Sequence, residues 1–307
     1  MQNFIDNIKT QLKQNRGLVH ASNIKSKVNN LGDNPNKVRK TKLRDLIEKY
    51  NTYLSNQLSI KDNVTNYHVL TLEEKNFIDD NIEKRVSLLN DYYNDFEKLG
   101  IEGKSDECYD SRSKIRSTIL EEFMYLLFME FVETLIGKNK KTILKNGNAK
   151  AYSNLYFTAS DVNEFINDPT IKINTKNQDY AIYREVEILV KGSTKKPART
   201  AVPILAIENK TFLDKTMLEG TIATAEKIKM GAPYSVFIVV TETYAVDNSV
   251  DPVYSRIDQI FVLRKCGRDE NKPIDAEVVK NMFWYVVERM LRPWSKVDEK
   301  LKQGFII

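Results

Sequence analysis

Apolar runs of strand length and of helical length alternate through the second half of the chain. Tyr234–Thr241 is nearly all apolar, which is typical of a strand that is buried on both faces. Asp179–Val190 alternates between apolar and polar residues, and Pro203–Phe212 begins as an apolar run, so both are predicted to be strands. Leu213–Met230 carries apolar residues at helical spacing and is followed by Gly231, which indicates a helix.

Three further segments complete the predicted core. Ile257–Leu263 is predicted to be a strand and Ala276–Leu291 an amphipathic helix. Ser113–Ile136 is strongly apolar but is interrupted by Glu130 and Glu133, which favours a buried helix over a membrane span. The resulting order is helix, hairpin, helix, strand, strand, helix. It predicts an α/β/α fold in which helices cover both faces of a central mixed sheet.

Residues 1–105 follow a different, mainly helical pattern. Amphipathic helices are predicted around Leu43–Leu54 and over Thr71–Glu102. The second helix is mostly acidic and would repel phosphate groups, so we expect it to be a scaffold or a dimer surface. Gly100–Ser105 is the predicted boundary between a helical region, 1–105, and an α/β region, 106–307.

A carboxylate and an amine stand side by side where the predicted strand Pro203–Phe212 loses its apolar character. Glu208 and Lys210 are two residues apart, so on a strand their side chains point to the same face. Such groups at the end of a buried strand are costly unless they are used, and hydrolysis of a phosphodiester would use both. Glu73 and Lys75 have the same spacing in polar surroundings, and a surface ion pair is the alternative interpretation.

Further carboxylates could join this pair. Asp179 opens the neighbouring predicted strand, and Glu185 and Glu187 on the same strand are rivals for its role. On the predicted helix Ser113–Ile136, the helical spacing of about 100° per residue places Glu121 at the edge of the buried face and Glu122 on its far side. Glu121 is therefore the preferred third carboxylate, and a solvated glutamate pair is the alternative.

This order of elements, with these acidic and lysine residues, resembles the PD-(D/E)xK nuclease superfamily, and within it the type II restriction endonucleases. The resemblance covers about half the chain, from about Asp110 to Leu263. It implies that region 106–307 is catalytic and that the substrate is double-stranded DNA. One departure is that Gln178, and not proline, precedes Asp179.

The resemblance also implies a set of roles and partners. Asp179, Glu208 and the backbone carbonyl of Asn209 would bind Mg²⁺, Lys210 would activate the attacking water, and Glu121 would join the site. Sequence-specific cleavage would leave 5′-phosphates, a homodimer would cut both strands, and a cognate DNA methyltransferase would belong to the same system. A repair nuclease or junction resolvase, or a DNA-binding protein without catalysis, are the alternatives.

Basic residues are concentrated in the first fifty positions. Residues 1–50 contain 11 Lys or Arg against four Asp or Glu, whereas the net charge of the whole chain is only +5. DNA phosphates would bind such residues, with a solvated surface as the alternative, and Ser111, Ser113 and Ser117 are explained by helix capping. The candidate DNA contacts are Lys37, Arg39, Lys40, Lys42, Arg112, Lys114, Arg116 and Lys215.

The cysteine and histidine content excludes other chemistries. Cys108 and Cys266 are far apart in the sequence, which argues against a disulfide framework and favours a reducing cytoplasm. The two histidines, His20 and His68, have no neighbours at metal-ligand spacing, so a zinc site or a histidine-based hydrolase is not expected. Residues 1–15 lack the apolar segment of a signal peptide, and we expect no membrane association.

Overall fold

The computed structural model describes residues 17–31, 36–105, 107–137, 144–268, 270, 272–292, 298, 301–302 and 304, so the segment 1–15 discussed above lies outside the described residues. Within them the chain forms helices around one sheet. The helices are α1 (Val19–Asn29), α2 (Lys37–Ser59), α3 (Leu72–Leu99), α4 (Ser117–Ile136), α5 (Val162–Asn167), α6 (Lys215–Gly231) and α7 (Ala276–Leu291). The strands are β1 (Leu144–Thr158), β2 (Thr170–Ile188), β3 (Ala198–Leu213), β4 (Val236–Tyr244) and β5 (Gln259–Val262).

The strands follow one another across the sheet in the order β1-β2-β3-β4-β5. β1 pairs with β2 and β2 with β3 in the antiparallel sense, which confirms the predicted hairpin between β2 and β3. β3, β4 and β5 run parallel, and α6 connects β3 to β4. The sheet is therefore mixed, and the carboxyl ends of the parallel strands β3 and β4 lie at one edge.

Helices cover both faces of the sheet because successive residues of β3 point to opposite sides. Leu205 and Ile207 join a core cluster with residues of α3, α4 and α7. Ala206 joins a second cluster, in which Ile222 and Ala225 of α6 pack against β4. These two cores confirm the predicted α/β/α arrangement.

Helix α4 runs through the larger of the two cores. Phe123, Phe128 and Phe131 on this helix are fully buried. The helix begins at Ser117, not at Ser113 as predicted, because residues 111–113 form a separate 3-10 turn and Lys114 adopts a positive φ of 57° that an α-helix cannot contain. None of the described helices is long and apolar enough to cross a membrane.

The N-terminal helices share this core. Leu43, Leu46 and Tyr50 on α2 are buried in the same cluster as the side chains of α4, and α3 packs against both α2 and α7. The side chain of Thr71 caps α3 in a capping box, and Gly100 ends it in the left-handed conformation that glycine favours. One continuous core cluster includes residues from both sides of position 105. The division of the chain at this position stays a prediction.

Two elements of the sheet differ from the sequence-based expectation. β1 was not predicted, and β2 begins at Thr170, so Asp179 lies in the middle of this strand and does not open it. The two segments that were not predicted, β1 and the part of β2 before Asp179, are rich in polar residues. No regular apolar alternation distinguishes them from loops. They form strands because they pair with each other over most of their length.

Candidate active site

Glu208 and Lys210 lie near the carboxyl end of β3, just beyond the last residue of this strand that pairs with β2. Ile207 pairs with Tyr180 of β2, while Glu208 and Lys210 are opposite Val239 and Thr241 of β4. The Lys210 ammonium donates a hydrogen bond to Glu208 Oε1 at 2.6 Å, and the side chains are 25% and 18% exposed. The two groups therefore form a partly buried ion pair that still reaches solvent.

Asp179 on β2 lies beside this ion pair. It is one residue beyond the Tyr180–Ile207 pair, and its Oδ2 accepts a hydrogen bond from the backbone N–H of Asn209 at 2.7 Å. Burial and then the negative charge of Glu208 raise the pKa of Asp179 to about 6. Two carboxylates from adjacent strands are thus held together although they repel each other.

Glu121 on α4 brings a third carboxylate within electrostatic range of Asp179 and Glu208. Burial and then the charge of Asp179 raise the pKa of Glu121 to about 7, and the charge of Glu208 acts in the same direction. Asn148 Nδ2 donates a hydrogen bond to Glu121 Oε2 at 3.4 Å. Asn148 lies in β1 where the pairing with β2 is irregular, and the sequence analysis missed it because it missed the strand.

Glu122 does not lie on the solvated far side of α4, and that expectation was wrong. Its side chain is fully buried, and its oxygens accept hydrogen bonds from the Tyr50 hydroxyl at 2.8 Å and from the Ala21 backbone N–H at 3.0 Å. Burial raises the pKa of Glu122 to about 7. The physical reason is that α1 and α2 cover this side of α4, so neighbouring glutamates point into different surroundings.

The two rival acidic residues of β2 are engaged elsewhere. Glu185 forms an ion pair with Lys145 of β1 at 2.5 Å, and Glu187 forms one with Arg199 of β3 at 2.6 Å. Glu185 pairs with Ala201, well before Glu208 along β3. The structure therefore brings Asp179, and not its rivals, to the ion pair of β3.

The basic residues before α4 have different surroundings. Burial raises the pKa values of Glu121 and Asp179, and the charge of Lys114 acts on both in the opposite direction, so its ammonium lies close to the carboxylates. Arg116 is committed to Glu242, to which it donates two hydrogen bonds of 2.8 Å. Arg112 is 92% exposed and pairs with Asp110. Lys114 is the one of these three that the structure brings to the carboxylates.

The basic residues at the start of α2 divide into two pairs. Lys42 donates a hydrogen bond to the carbonyl of Gly100, and Arg39 donates one to the carbonyl of Cys108, so both hold the N-terminal helices to the following loop. Lys37 and Lys40 are exposed. Contact between this group and DNA stays a prediction. Lys37 and Lys40 are the best candidates for it, because their side chains are exposed.

Lys215 lines a cavity that does not include Asp179, Glu208 or Glu121. It is the first residue of α6, and it lines a cavity of about 420 Å³ together with Glu219 and Asp251. Acidic neighbours make this cavity a poor place for DNA phosphates. A contact between Lys215 and the scissile strand stays an untested prediction.

The described residues contain no group of three or more His, Cys, Asp or Glu side chains placed closely enough to count as a preformed metal site. The oxygen donors of Asp179 and Glu208 nevertheless have the chemistry that a hard divalent cation prefers. Burial and the negative charge of Glu208 both make an ionised Asp179 unfavourable, which raises its pKa. A cation bound between them would relieve both effects, so the residues fit one.

A mixed sheet with helices on both faces, and acidic and lysine side chains at the edge of its strands, is the architecture of a restriction endonuclease. The fold matches that of a solved structure described as the native BbvCI A2B2 tetramer, with a TM-score of 0.66 and 20% sequence identity over 91% of this chain and 98% of that chain. Residues 112–292 match the family model of the Bpu10I restriction endonuclease, and the chain belongs to that family. It is a type II site-specific deoxyribonuclease, as the resemblance in the sequence implied. A comparison with curated proteins found no match.

Proposed function

We propose that this chain hydrolyses double-stranded DNA at a specific sequence in a Mg²⁺-dependent reaction that leaves 5′-phosphates. The observation that carries the proposal is the pair of contacts at the edge of the sheet, Asn209 to Asp179 and Lys210 to Glu208. The third carboxylate, that of Glu121, lies within electrostatic range of both acids. Family membership supports restriction over repair. The segment that matches the family model, 112–292, contains all the residues proposed for the site: Glu121, Asp179, Glu208, Asn209 and Lys210.

The residues that would hold the cation are Asp179, Glu208 and the backbone carbonyl of Asn209, which together offer oxygen ligands only. Mg²⁺ would polarise a phosphoryl oxygen and lower the pKa of water. Asp179 is kept in position by the Asn209 backbone N–H, so its carboxylate does not have to be ordered when the cation arrives. Asp179 must be ionised to bind the cation, and its raised pKa of about 6 makes that binding sensitive to pH.

Lys210 and Glu121 would act on the attacking water, Lys210 by positioning it and Glu121 by accepting its proton. One N–H of the Lys210 ammonium is donated to Glu208, which fixes the direction of the side chain and leaves two further N–H donors for water or a phosphate oxygen. Glu121 has a pKa of about 7, so near neutral pH it can accept a proton at a carboxylate oxygen and release it again. Positioning by Lys210 and proton transfer at Glu121 are therefore separate contributions.

We also propose that the enzyme works as an oligomer. The described residues form one site of this kind, whereas a duplex has two strands to cut. The similar BbvCI structure is titled as an A2B2 tetramer, with two kinds of chain, while the homodimer predicted from the sequence has one. The products separate the two assemblies: double-strand breaks by this chain alone support a homodimer, and nicks in one strand only require a second kind of subunit.

A restriction enzyme implies protection of the host DNA. We propose a cognate methyltransferase in the same system and action in a reducing cytoplasm, which the free thiols of Cys108 and Cys266 support. Expression without a methyltransferase should fragment the chromosome of the host cell, whereas expression of a Glu208→Gln variant should not. Equal survival of the two cultures would contradict this part of the proposal.

The central experiment is a digest of DNA of known sequence with Mg²⁺ or with EDTA, followed by sequencing of the fragment ends. Discrete fragments with 5′-phosphates are expected with Mg²⁺ only. Glu208→Gln and Lys210→Ala should each abolish nearly all cleavage and leave sequence-specific binding intact. Glu73→Gln and Lys75→Ala alter the same spacing at an exposed helix start and should cut normally. Full cleavage by the Glu208 variant would reject the assignment.

A further inference from the structure

A pocket rich in arginine opens at the same edge of the sheet as the candidate active site. Its volume is about 310 Å³, and it begins at Thr211, the residue after Lys210. Thr211 and Phe212 of β3 form one wall, and Glu242 and Thr243 of β4 form another. The remaining lining residues are Arg116, Arg264, Arg268 and Glu270.

The floor of this pocket is a buried cluster with an excess of positive charge. Glu242 is 2% exposed and accepts two hydrogen bonds of 2.8 Å from Arg116 and one of 3.0 Å from Arg264, whose Nη2 also lies 2.9 Å from Glu242 Oε2 as an ion pair. The Tyr93 hydroxyl donates a fourth hydrogen bond at 3.2 Å, and both guanidinium groups lie over the Tyr93 ring. One carboxylate is thus shared by two arginines, and the cluster retains a net positive charge.

Arg268 is exposed and stands at the mouth of the pocket. Its guanidinium carbon lies 3.9 Å from the centroid of the Phe212 ring, which orients the planar group without using its N–H donors. Within the described part of the chain no carboxylate pairs with Arg268, since Glu270 forms its ion pair with Lys272. A stacked arginine for which the described residues provide no carboxylate partner is suited to bind an anion, and phosphate matches its fork of N–H groups.

The position of the pocket identifies the anion. Phe212 follows Lys210 by two residues on the same strand, which corresponds to roughly 7 Å along the sheet. Along the helix axis this is about two base-pair steps, so the phosphates within reach are the first and the second beyond the scissile one. A duplex whose scissile phosphate lies at Lys210 would therefore bring a neighbouring phosphate of the same strand to Arg268.

We propose that this pocket binds a DNA backbone phosphate within two steps of the scissile one, with Arg268 as its direct ligand and the Arg116–Glu242–Arg264 cluster as a rigid cationic floor. The proposal rests on the proposed function, because it takes the scissile phosphate to lie at Lys210. The contact orients the strand and carries no information about the base sequence. It therefore contributes to binding of any duplex, specific or not.

The first test measures the salt dependence of binding to a duplex of random sequence, in EDTA so that the DNA stays intact. Arg268→Gln should lower the slope of log K against log salt by about 0.9, the value of one phosphate contact. Arg268→Lys should keep a slope close to that of the wild type. Arg289→Gln is the matched control, because Arg289 is also stacked on an aromatic ring, that of Tyr285. Equal slopes for wild type and Arg268→Gln would overturn the proposal.

The second test locates the phosphate. Single uncharged methylphosphonate groups are placed at each position around the mapped cut site, and binding is compared between wild type and Arg268→Gln. Wild type should lose affinity at one position within two steps of the scissile phosphate to which the variant is indifferent. A variant that keeps the sensitivity of the wild type at every position would refute the contact. Cleavage by Glu208→Gln tests the proposed function separately, so the two failures are distinguishable.

Discussion

Replacing Glu121 with glutamine should stabilise the metal-free protein at about pH 8. Glu121 shares a partly buried site with Asp179 and Glu208, and burial followed by the charge of Asp179 raises the pKa of Glu121 to about 7. An ionised carboxylate is therefore less favourable in the folded protein than in the unfolded chain. A neutral glutamine of the same shape removes this repulsion and keeps an oxygen for the side chain of Asn148.

The magnitude follows from the difference between the two pKa values. The folded-state pKa of about 7 lies above the ordinary value of 4.5, which corresponds to a cost of about 3 kcal/mol at most when Glu121 is ionised. Below about pH 4.5 the carboxyl group is protonated in both states and the cost is absent. The cost grows as the pH rises and is complete above about pH 7. Because Glu121 is half-buried and partly screened by solvent, a gain of about 1–3 kcal/mol is expected.

Urea unfolding in EDTA at a series of pH values measures this gain, and the same series with Mg²⁺ tests its cause. Mg²⁺ at a hundredfold excess over its dissociation constant should stabilise the wild type by about 2.7 kcal/mol. The gain for Glu121→Gln should be smaller, because the variant has lost one of the charges that attract the cation. Glu73→Gln, at an exposed position on α3, should match the wild type at every pH.

Two outcomes would refute the reasoning. If Glu121→Gln is less stable than the wild type at about pH 8, the three carboxylates do not repel one another in the folded protein. If the difference between variant and wild type is the same at about pH 4.5 as at about pH 8, its origin is not the ionisation of Glu121. Both measurements use the protein without DNA, so they do not depend on knowing the recognition sequence.

Two further predictions concern the N-terminal helices. Replacing Lys37 and Lys40 with glutamine should lower the salt slope of DNA binding by about two units, since both are exposed, whereas Lys42→Gln should change it little because the carbonyl of Gly100 occupies its ammonium. Equal slopes for all variants would show that this surface faces away from DNA. Tyr50→Phe should cost about 1–3 kcal/mol in urea unfolding, because it removes a donor from the buried Glu122, while Tyr156→Phe at an exposed position should be neutral. A neutral Tyr50 variant would mean that Glu122 does not depend on this bond.

The elements that could be predicted from the sequence are those whose own residues determine their burial. The bounds of α7 agree with the predicted Ala276–Leu291, and β4 was recognised because its residues are apolar on both faces. β1 carries few signals of its own, and its partners in the sheet are β2 throughout and β3 at a single position, Ala151. Pairing between distant segments decides that strand, and no local pattern contains this information.

The same distinction separates the parts of the site. Glu208 and Lys210 could be recognised because a single strand sets both their spacing and their context. The preference for Glu121 stays a prediction that the electrostatic effect of Asp179 on Glu121 supports. The expected surroundings of Glu122 were wrong because they depend on how α1 and α2 pack. Asn148, and Arg268 of the proposed phosphate pocket, were not predicted because each makes its contact across elements that are far apart in the sequence.

The contrast between Glu121 and its neighbour limits how far this nuclease can be shortened. On the other side of the same helical turn, Glu122 is bonded to α1 and α2, and Thr118 is bonded to the ring of His20, which burial keeps neutral with a pKa of about 3. A fragment restricted to the family-matched segment 112–292 would expose these polar groups and a row of aromatic side chains to water. Transplanting this cleavage unit onto another DNA-binding protein therefore requires the preceding helices as part of the graft.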